Sequence, residues 1–326
     1  MRGKCATICI MTTKPLKPIN AHLSSVTLQD LENHKQITTK QLQRDLENLN
    51  KFDATTNKNN FAGNPFLYHY QFKNLLKCRR QDGKTIYDIY NDSAAWAKLI
   101  DNTRQRNRGG RTAAGNIFEC FRINLGSVVM FKSTTSKYLY KKYKAKNVLD
   151  PTAGWGGRML GAWSLGINYT GIDTNVEMKQ AYTDMIAFLE EETGFNNEVF
   201  EVVNKPKLNM IWDSCLNVDF SKIEYDFVLT SPPYINLEVY EHMKEWDSDR
   251  AFYETFFIPL WQKCVDHIQP GGHVCFNISP KMYADALKHG LQPCDDEEDL
   301  LQQMGQKANA LKKGKKKQDK IYIWKC

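Results

Sequence analysis

Several things are missing from this chain of 326 residues. No apolar run approaches the ~20 residues that a membrane span requires. The opening MRGKCATICI carries only a short apolar patch, too short for a secretory h-region with its cleavage site. The expectation is a soluble intracellular protein, in cytoplasm or nucleus, of cellular or viral origin. No Cys-x-x-Cys pair occurs among the nine cysteines, and the seven histidines do not cluster near them. Zinc needs several such ligands at close spacing, so no metal site is expected. An odd count of scattered cysteines fits reduced thiols. The glycine-rich stretch at 154–157 is not Gly-x-Gly-x-x-Gly, and no Gly-Lys-Ser/Thr follows it as in a phosphate loop. No internal repeat is found.

Charge is present but unevenly placed. Residues 1–145 hold 25 Lys and Arg against 10 Asp and Glu, a net of +15. The remaining residues hold 19 against 27, a net of −8. The overall +7 hides this split. A basic half joined to an acidic half points to a phosphate-bearing partner met by the first half.

Residues 1–63 read as a polar N-terminal segment. Leu28, Leu31, Ile37, Leu42 and Leu46 recur near helical spacing, giving one amphipathic helix or two short ones. Residues 49–63, rich in Asn, Thr and Lys, read as a linker. Residues 64–127 interleave aromatics (Phe66, Tyr68, Tyr70, Phe72) with cations (Lys73, Lys77, Arg79, Arg80), followed by Arg104, Arg106, Arg108 and Arg111. Cations among aromatics suit phosphate pairing and base stacking. Most of these aromatics are expected in the core all the same. The arginine run is either a solvated loop or a phosphate contact.

From Lys146 the pattern alternates. Short apolar runs (146–150, 168–173, 209–213, 226–231, 273–279) are separated by amphipathic stretches such as Val176–Thr193 and Phe252–Ile268. Strand alternating with helix means a doubly wound α/β fold with a mostly parallel sheet. The terminal KIYIWK (320–325) follows a lysine-rich turn, Lys312–Lys317, with no helix between. It is expected to enter antiparallel, as a hairpin.

Three constellations carry chemistry. Asp150-Pro-Thr152-Ala153-Gly154-Trp155-Gly156-Gly157-Arg158 follows the first strand and opens a helix. Its glycines permit a sharp turn and close approach of a ligand at the carboxyl edge of the sheet. Trp155 either lines that ligand or packs. Asp173 ends the second strand about twenty residues on, where a carboxylate can accept both ribose hydroxyls. The competing role is a helix cap. Asp213 ends the third strand and is either a cap or near an adenine. Ser231-Pro232-Pro233-Tyr234 ends the fourth strand. Two prolines fix φ and remove two backbone donors. Carbonyls, a hydroxyl and a tyrosine ring are left as a rigid receptor for an exocyclic amino group on a flat ring.

The order glycine turn, acidic strand end, Ser-Pro-Pro-Tyr resembles the S-adenosylmethionine-dependent amino-methyltransferases of DNA. Serine in the first tetrad position resembles the N4-cytosine branch; the N6-adenine branch more often has Asp or Asn there. The resemblance spans about residues 128–326, which it implies to be the catalytic domain. That domain would be a seven-stranded Rossmann-like methyltransferase sheet with an antiparallel last strand. The basic, mainly helical extension would precede it.

The resemblance implies S-adenosylmethionine as cofactor. Asp150, Thr152 and the Ala153–Gly157 turn would hold its methionine part, with Phe131 and Lys132 touching the same end. Asp173 would bind ribose and Asp213 would lie near adenine. Ser231 and the Pro232 carbonyl would orient the target amine, Pro233 would stiffen the turn, and Tyr234 would stack on a flipped base. Direct attack on the methyl group needs no catalytic cysteine. The chain departs from the common Gly-Ser-Gly turn at Trp155 and Arg158. It also shows no inserted block of about a hundred residues for target recognition. Nucleic-acid binding, to DNA in the first instance, is therefore expected from Arg104, Arg106, Arg108 and Arg111, with Lys315 and Lys316 in the terminal hairpin. The alternatives are N6-adenine or RNA as target. A non-catalytic subunit would be expected to lose the tetrad or the glycine turn, and both are present.

Overall fold

The computed structural model describes residues 18–55, 60–80, 83–106, 111–123, 130–195, 205–234, 238–239, 246–299 and 319–326. Arg108, Lys315 and Lys316 lie outside them.

The basic N-terminal part is helical. A 3₁₀ turn, Pro18–Ser25, leads to α1 (Leu28–Glu32), α2 (Thr39–Lys51), α3 (Asn64–Leu76), α4 (Ile86–Asn91), α5 (Ser93–Arg106) and α6 (Ala113–Phe121). The leucine spacing over 28–46 thus resolves into two short helices. Thr27 and Thr38 each open one with a reciprocal capping box, to Asp30 and to Gln41, which stops one continuous helix from forming. The segment 49–63 differs from a linker. It opens inside α2 and buries Leu49 and Ala54. Asp45 of α2 accepts the backbone N–H groups of Gly63 and Phe66, tying its end to α3.

The sheet-forming half holds α7 (Ser133–Lys142), β1 (Asn147–Asp150), α8 (Gly157–Trp163), β2 (Asn168–Asp173), α9 (Lys179–Phe195), β3 (Leu208–Trp212) and β4 (Phe227–Thr230). Then come α10 (Asp249–Phe252), a π-helical turn at Tyr253–Phe257, α11 (Ile258–Asp266), β5 (His273–Ile278), α12 (Pro280–Lys288), β6 (Asp296–Asp299) and β7 (Lys320–Lys325). The sheet order is 3-2-1-4-5-7-6. Strands β1 to β5 pair in parallel, and β7 runs antiparallel to β5 and β6. A separate two-residue ladder joins Arg79–Arg80 to Glu238–Val239.

Side chains alternate across the sheet as a period of two requires. Val148, Phe227, Leu229, Cys275, Ile321 and Ile323 enter a core on one face. Leu149, Val228, Val274, Phe276, Tyr322 and Trp324 enter the other. The first core also contains Leu46, Phe66, Phe72 and Phe118 from the N-terminal helices, so the basic layer shares its apolar interior with the sheet.

The segments expected as strands are strands, and KIYIWK is antiparallel. The acidic edge strand β6 had no sequence signal. Its four residues read Asp-Glu-Glu-Asp, with no apolar alternation. It is held by the ladder to β7 and by Lys142 and Lys320 bonding Glu298 and Glu297. Charge on an edge strand also blocks pairing with other chains.

Candidate active site

The strand order reverses between β1 and β4, so the carboxyl ends of these neighbours form the crevice where ligands of open α/β sheets bind. The glycine turn leaves β1 and the tetrad leaves β4. The two are joined directly, since the hydroxyls of Thr152 and Thr230 lie 2.6 Å apart.

The glycines of the turn do different work. Gly154 has φ +59°, and a Cβ there would meet nothing closer than 3.9 Å, so its backbone conformation rather than crowding calls for glycine. Gly157 is a packing residue. A Cβ on it would lie 1.9 Å from the carbonyl oxygen of Phe131. Gly161 is similar, its Cβ position 2.1 Å from Ser136 Oγ. Together they let α8 pack closely on α7, with Ser136 Oγ donating to the Gly157 carbonyl at 3.1 Å.

Below the turn lies a buried ion pair. Arg158 Nε donates to Asp150 Oδ2 at 2.6 Å, and Tyr169 Oη donates to the same oxygen at 2.7 Å. Arg158 also bonds the Thr152 carbonyl and stacks on Phe131, 5.2 Å from the ring centre. Asp150 is 0% and Arg158 4% exposed. Burial works against the guanidinium charge, but the adjacent Asp150 carboxylate outweighs it and holds Arg158 protonated well beyond its ordinary range. Asp150 Oδ1 is buried with no partner among the described residues.

Asp173 secures the turn from the next strand. Its two oxygens accept the backbone N–H of Gly154 at 2.8 Å and of Asn175 at 2.9 Å. Burial raises its pKa, and these two bonds only partly oppose the rise. Asp213 is exposed and accepts from Ser214 N at 2.6 Å and Asn217 Nδ2 at 2.9 Å. Trp155 is buried in the first core. Phe131 and Lys132 precede α7 rather than β1, and both are buried. Lys132 Nζ sits 4.4 Å from the Phe61 ring centre. Gly156 backs onto α3, where Leu67 Cδ2 lies 3.5 Å from its Cβ position. The N-terminal layer thus abuts the turn.

At the tetrad, Pro232 is buried while Ser231, Pro233 and Tyr234 are part-exposed. Ser231 Oγ donates to the Asn277 carbonyl at 3.4 Å and accepts from Asn277 Nδ2 at 3.2 Å. Asn277 was not singled out by the sequence. The available signal was one amide inside an otherwise apolar strand, HVCFNI.

The arginines are dispersed. Arg104 pairs with Asp101 at 2.7 Å on the surface of α5, and Arg106 ends the same helix. Arg111 instead joins a cluster. Glu119 is 3.4 Å from Arg111 and 2.9 Å from Arg122, and both cations and Glu119 act on the half-buried Lys35. Lys35 Nζ lies 5.2 Å from the Tyr68 ring centre. Three cations therefore surround one carboxylate. Lys35 and Arg122 escaped the sequence reading because they are far from the arginine run and from each other.

A nucleotide-type cofactor fits these residues. The crevice offers a glycine turn and a carboxylate at the end of β2, and Asn277, beside Ser231, has a buried oxygen that lacks a partner among the described residues. The fold is a seven-stranded Rossmann-like sheet with its last strand antiparallel. No family model matches the chain, and no curated protein matches it. Solved structures do. TrmN from Thermus thermophilus is 15% identical with a TM-score of 0.37, covering 59% of this chain and 48% of its own. An rRNA methylase from Streptococcus thermophilus is 12% identical with a TM-score of 0.37, covering 61% of this chain and 98% of its own. An RNA methyltransferase from Salinibacter ruber in complex with S-adenosyl-L-homocysteine is 15% identical with a TM-score of 0.35, covering 60% of this chain and 93% of its own. The chain spans about half the length of the Thermus structure. Among the described residues no helix is long and apolar enough to cross a membrane.

Proposed function

We propose that this chain is an S-adenosylmethionine-dependent methyltransferase acting on the exocyclic amino group of a nucleic-acid base, with cytosine N4 in DNA as the target. One observation carries the reading. The Ser231–Tyr234 receptor and the glycine turn leave adjacent strands at the switch point and are bridged by the Thr152–Thr230 hydroxyl pair, 2.6 Å apart. An amine receptor and a nucleotide crevice therefore share one cleft.

When bound, S-adenosylmethionine supplies an electrophilic methyl group. The Gly154 side of the turn would hold its methionine part, with Asp150 supporting that turn from below through Arg158, Asp173 would hold its ribose, and Asp213 would lie toward the adenine. Ser231 Oγ and the Pro232 carbonyl accept the hydrogens of the target amine and orient its nitrogen. The Tyr234 ring offers a stacking face to the flipped base. Ser231 Oγ and the Pro232 carbonyl would hold the amine nitrogen in line with the transferable methyl group, and the proton that the amine gives up on transfer would leave to solvent. Holding two reactants in line supplies most of the acceleration. The serine in the first tetrad position favours cytosine. Lys35, Arg111 and Arg122, with Arg104 and Arg106, supply phosphate contacts from the basic layer.

The test is incubation of the protein with methyl-labelled S-adenosylmethionine and DNA or RNA, digestion to nucleosides, and identification of the product by mass. N4-methyldeoxycytidine is expected. Label in N6-methyladenine or in RNA alone overturns the cytosine-in-DNA assignment, and no label in either overturns methyl transfer to nucleic acid. Ser231→Ala should keep cofactor binding and lose on the order of 10²-fold in turnover. Charge reversal at Arg111 and Arg122 should weaken DNA binding and flatten its salt dependence by roughly one unit of slope per lost phosphate contact. Unchanged affinity and slope would remove the cluster from the interface.

A further inference from the structure

Ser231 is presented with its hydroxyl already committed. A hydroxyl has one hydrogen to donate and two lone pairs. The hydrogen goes to the Asn277 backbone carbonyl at 3.4 Å, and one lone pair takes the Asn277 Nδ2 hydrogen at 3.2 Å. Only one lone pair is left. The orientation of the amide follows from the same count. With the serine hydrogen directed at the carbonyl, the face of Oγ toward the side chain is acceptor-only, so the N–H end of Asn277 must meet it. That leaves Asn277 Oδ1, buried and without a partner among the described residues, on a side chain that is 5% exposed. A buried acceptor left unmatched carries a desolvation penalty. An incoming N–H removes that penalty, whereas an incoming carbonyl does not.

The backbone places this pair by register. Thr230 of β4 stands opposite Phe276 of β5, so the next residues along, Ser231 and Asn277, are neighbours at the carboxyl edge. Ser231 keeps exposed surface and Asn277 lies directly behind it.

We infer that Asn277 is a positioning and specificity residue for the amino-group transfer proposed above: it locks the Ser231 hydroxyl as an acceptor and adds its own Oδ1 to an acceptor-only corner. Such a corner takes a base bearing an exocyclic amine and rejects one bearing a carbonyl at the same place. Acceptor would then face buried acceptor, and a site built on hydrogen bonds discriminates strongly on that difference. The inference rests on the amino-transfer reading and adds a residue outside the tetrad to it.

The test compares Asn277→Leu with Asn277→Asp in the full chain, with label transfer to DNA as one readout and S-adenosylhomocysteine affinity by calorimetry as the other. Leucine keeps the branched shape and number of heavy atoms but removes both polar atoms. A protonated aspartic acid preserves one acceptor and one donor in the same plane. If Asn277 only fills space, N277L is the milder variant. If it positions Ser231, N277L loses about 10- to 100-fold in kcat. N277D then stays closer to the native rate at acidic pH and loses that advantage as the introduced carboxyl ionises. Cofactor affinity should be unchanged in both. N277L as active as the native protein, or more active than N277D at every pH, overturns the inference alone. Absence of transfer by the native protein overturns the amino-transfer reading, and this inference with it.

Discussion

Replacing Arg158 by leucine tests the base of the site most directly. In the native protein the guanidinium gives the buried Asp150 carboxylate its only cationic partner among the described residues. The remaining bond to that carboxylate comes from Tyr169 Oη at 2.7 Å, and Oδ1 has no partner among the described residues. With Asp150 at 0% exposure, water cannot take over. Removing one member of such a pair costs about 3–5 kcal/mol, because the other charge stays buried. Loss of the stack on Phe131 adds on the order of 1 kcal/mol. With a urea slope of about 3 kcal/mol/M, the unfolding midpoint should fall by about 1–2 M. The double variant Asp150→Asn with Arg158→Leu should recover at least half of that loss, since no charge is then left buried. Equilibrium unfolding in urea, followed by tryptophan fluorescence, reads both. A shift under about 1 kcal/mol for R158L, or a double variant as unstable as the sum of the singles, would refute the buried-pair account. It would mean that solvent reaches Asp150.

Two more outcomes follow from the same geometry. Gly157→Ala puts a methyl 1.9 Å from the Phe131 carbonyl, so backbone must move. The cost should reach the upper end of about 1–3 kcal/mol, visible as a lower melting temperature. Gly154→Ala makes only ordinary contacts at 3.9 Å and should instead show the roughly 1–2 kcal/mol cost of its left-handed φ together with weaker S-adenosylhomocysteine binding. Equal melting temperatures for native and G157A would refute the packing assignment. The second outcome concerns pH. Burial, then the nearby Lys35 and Arg111 charges, lower the pKa of His34 to about 4. Between about 4 and the ordinary 6.5 the unfolded chain therefore binds the proton more readily than the folded one, so stability rises with pH through that window. His34→Phe should flatten this part of the stability profile, and an unchanged profile would refute it.

Much of the sheet-forming half was legible because its signals are local. Apolar runs of strand length ending in Asp150, Asp173 and Ser231 mark parallel strands and their carboxyl edges without any knowledge of neighbours. The glycine turn and the diproline tetrad restrict the backbone by their own chemistry. The strand Asp296–Asp299 was illegible for the opposite reason. Nothing in four consecutive acids encodes a strand, and only pairing with Lys320–Lys325 makes one.

The sequence by itself determined the α/β alternation, the antiparallel terminal strand, and which residues stand at the ends of strands one, two and four. Those properties follow from periodicity and from residues whose conformational limits travel with them. Only the tertiary structure decided who meets whom. It paired Arg158 with Asp150 beneath the turn and made Gly157 a packing residue against Phe131. It gathered Lys35, Arg111 and Arg122 around Glu119, and it set Asn277 behind Ser231. Asp150 meets Arg158, and Glu119 meets Arg111 and Arg122, within eight residues; the other contacts join segments far apart in the chain and arise from strand order and helix packing rather than from spacing along the sequence.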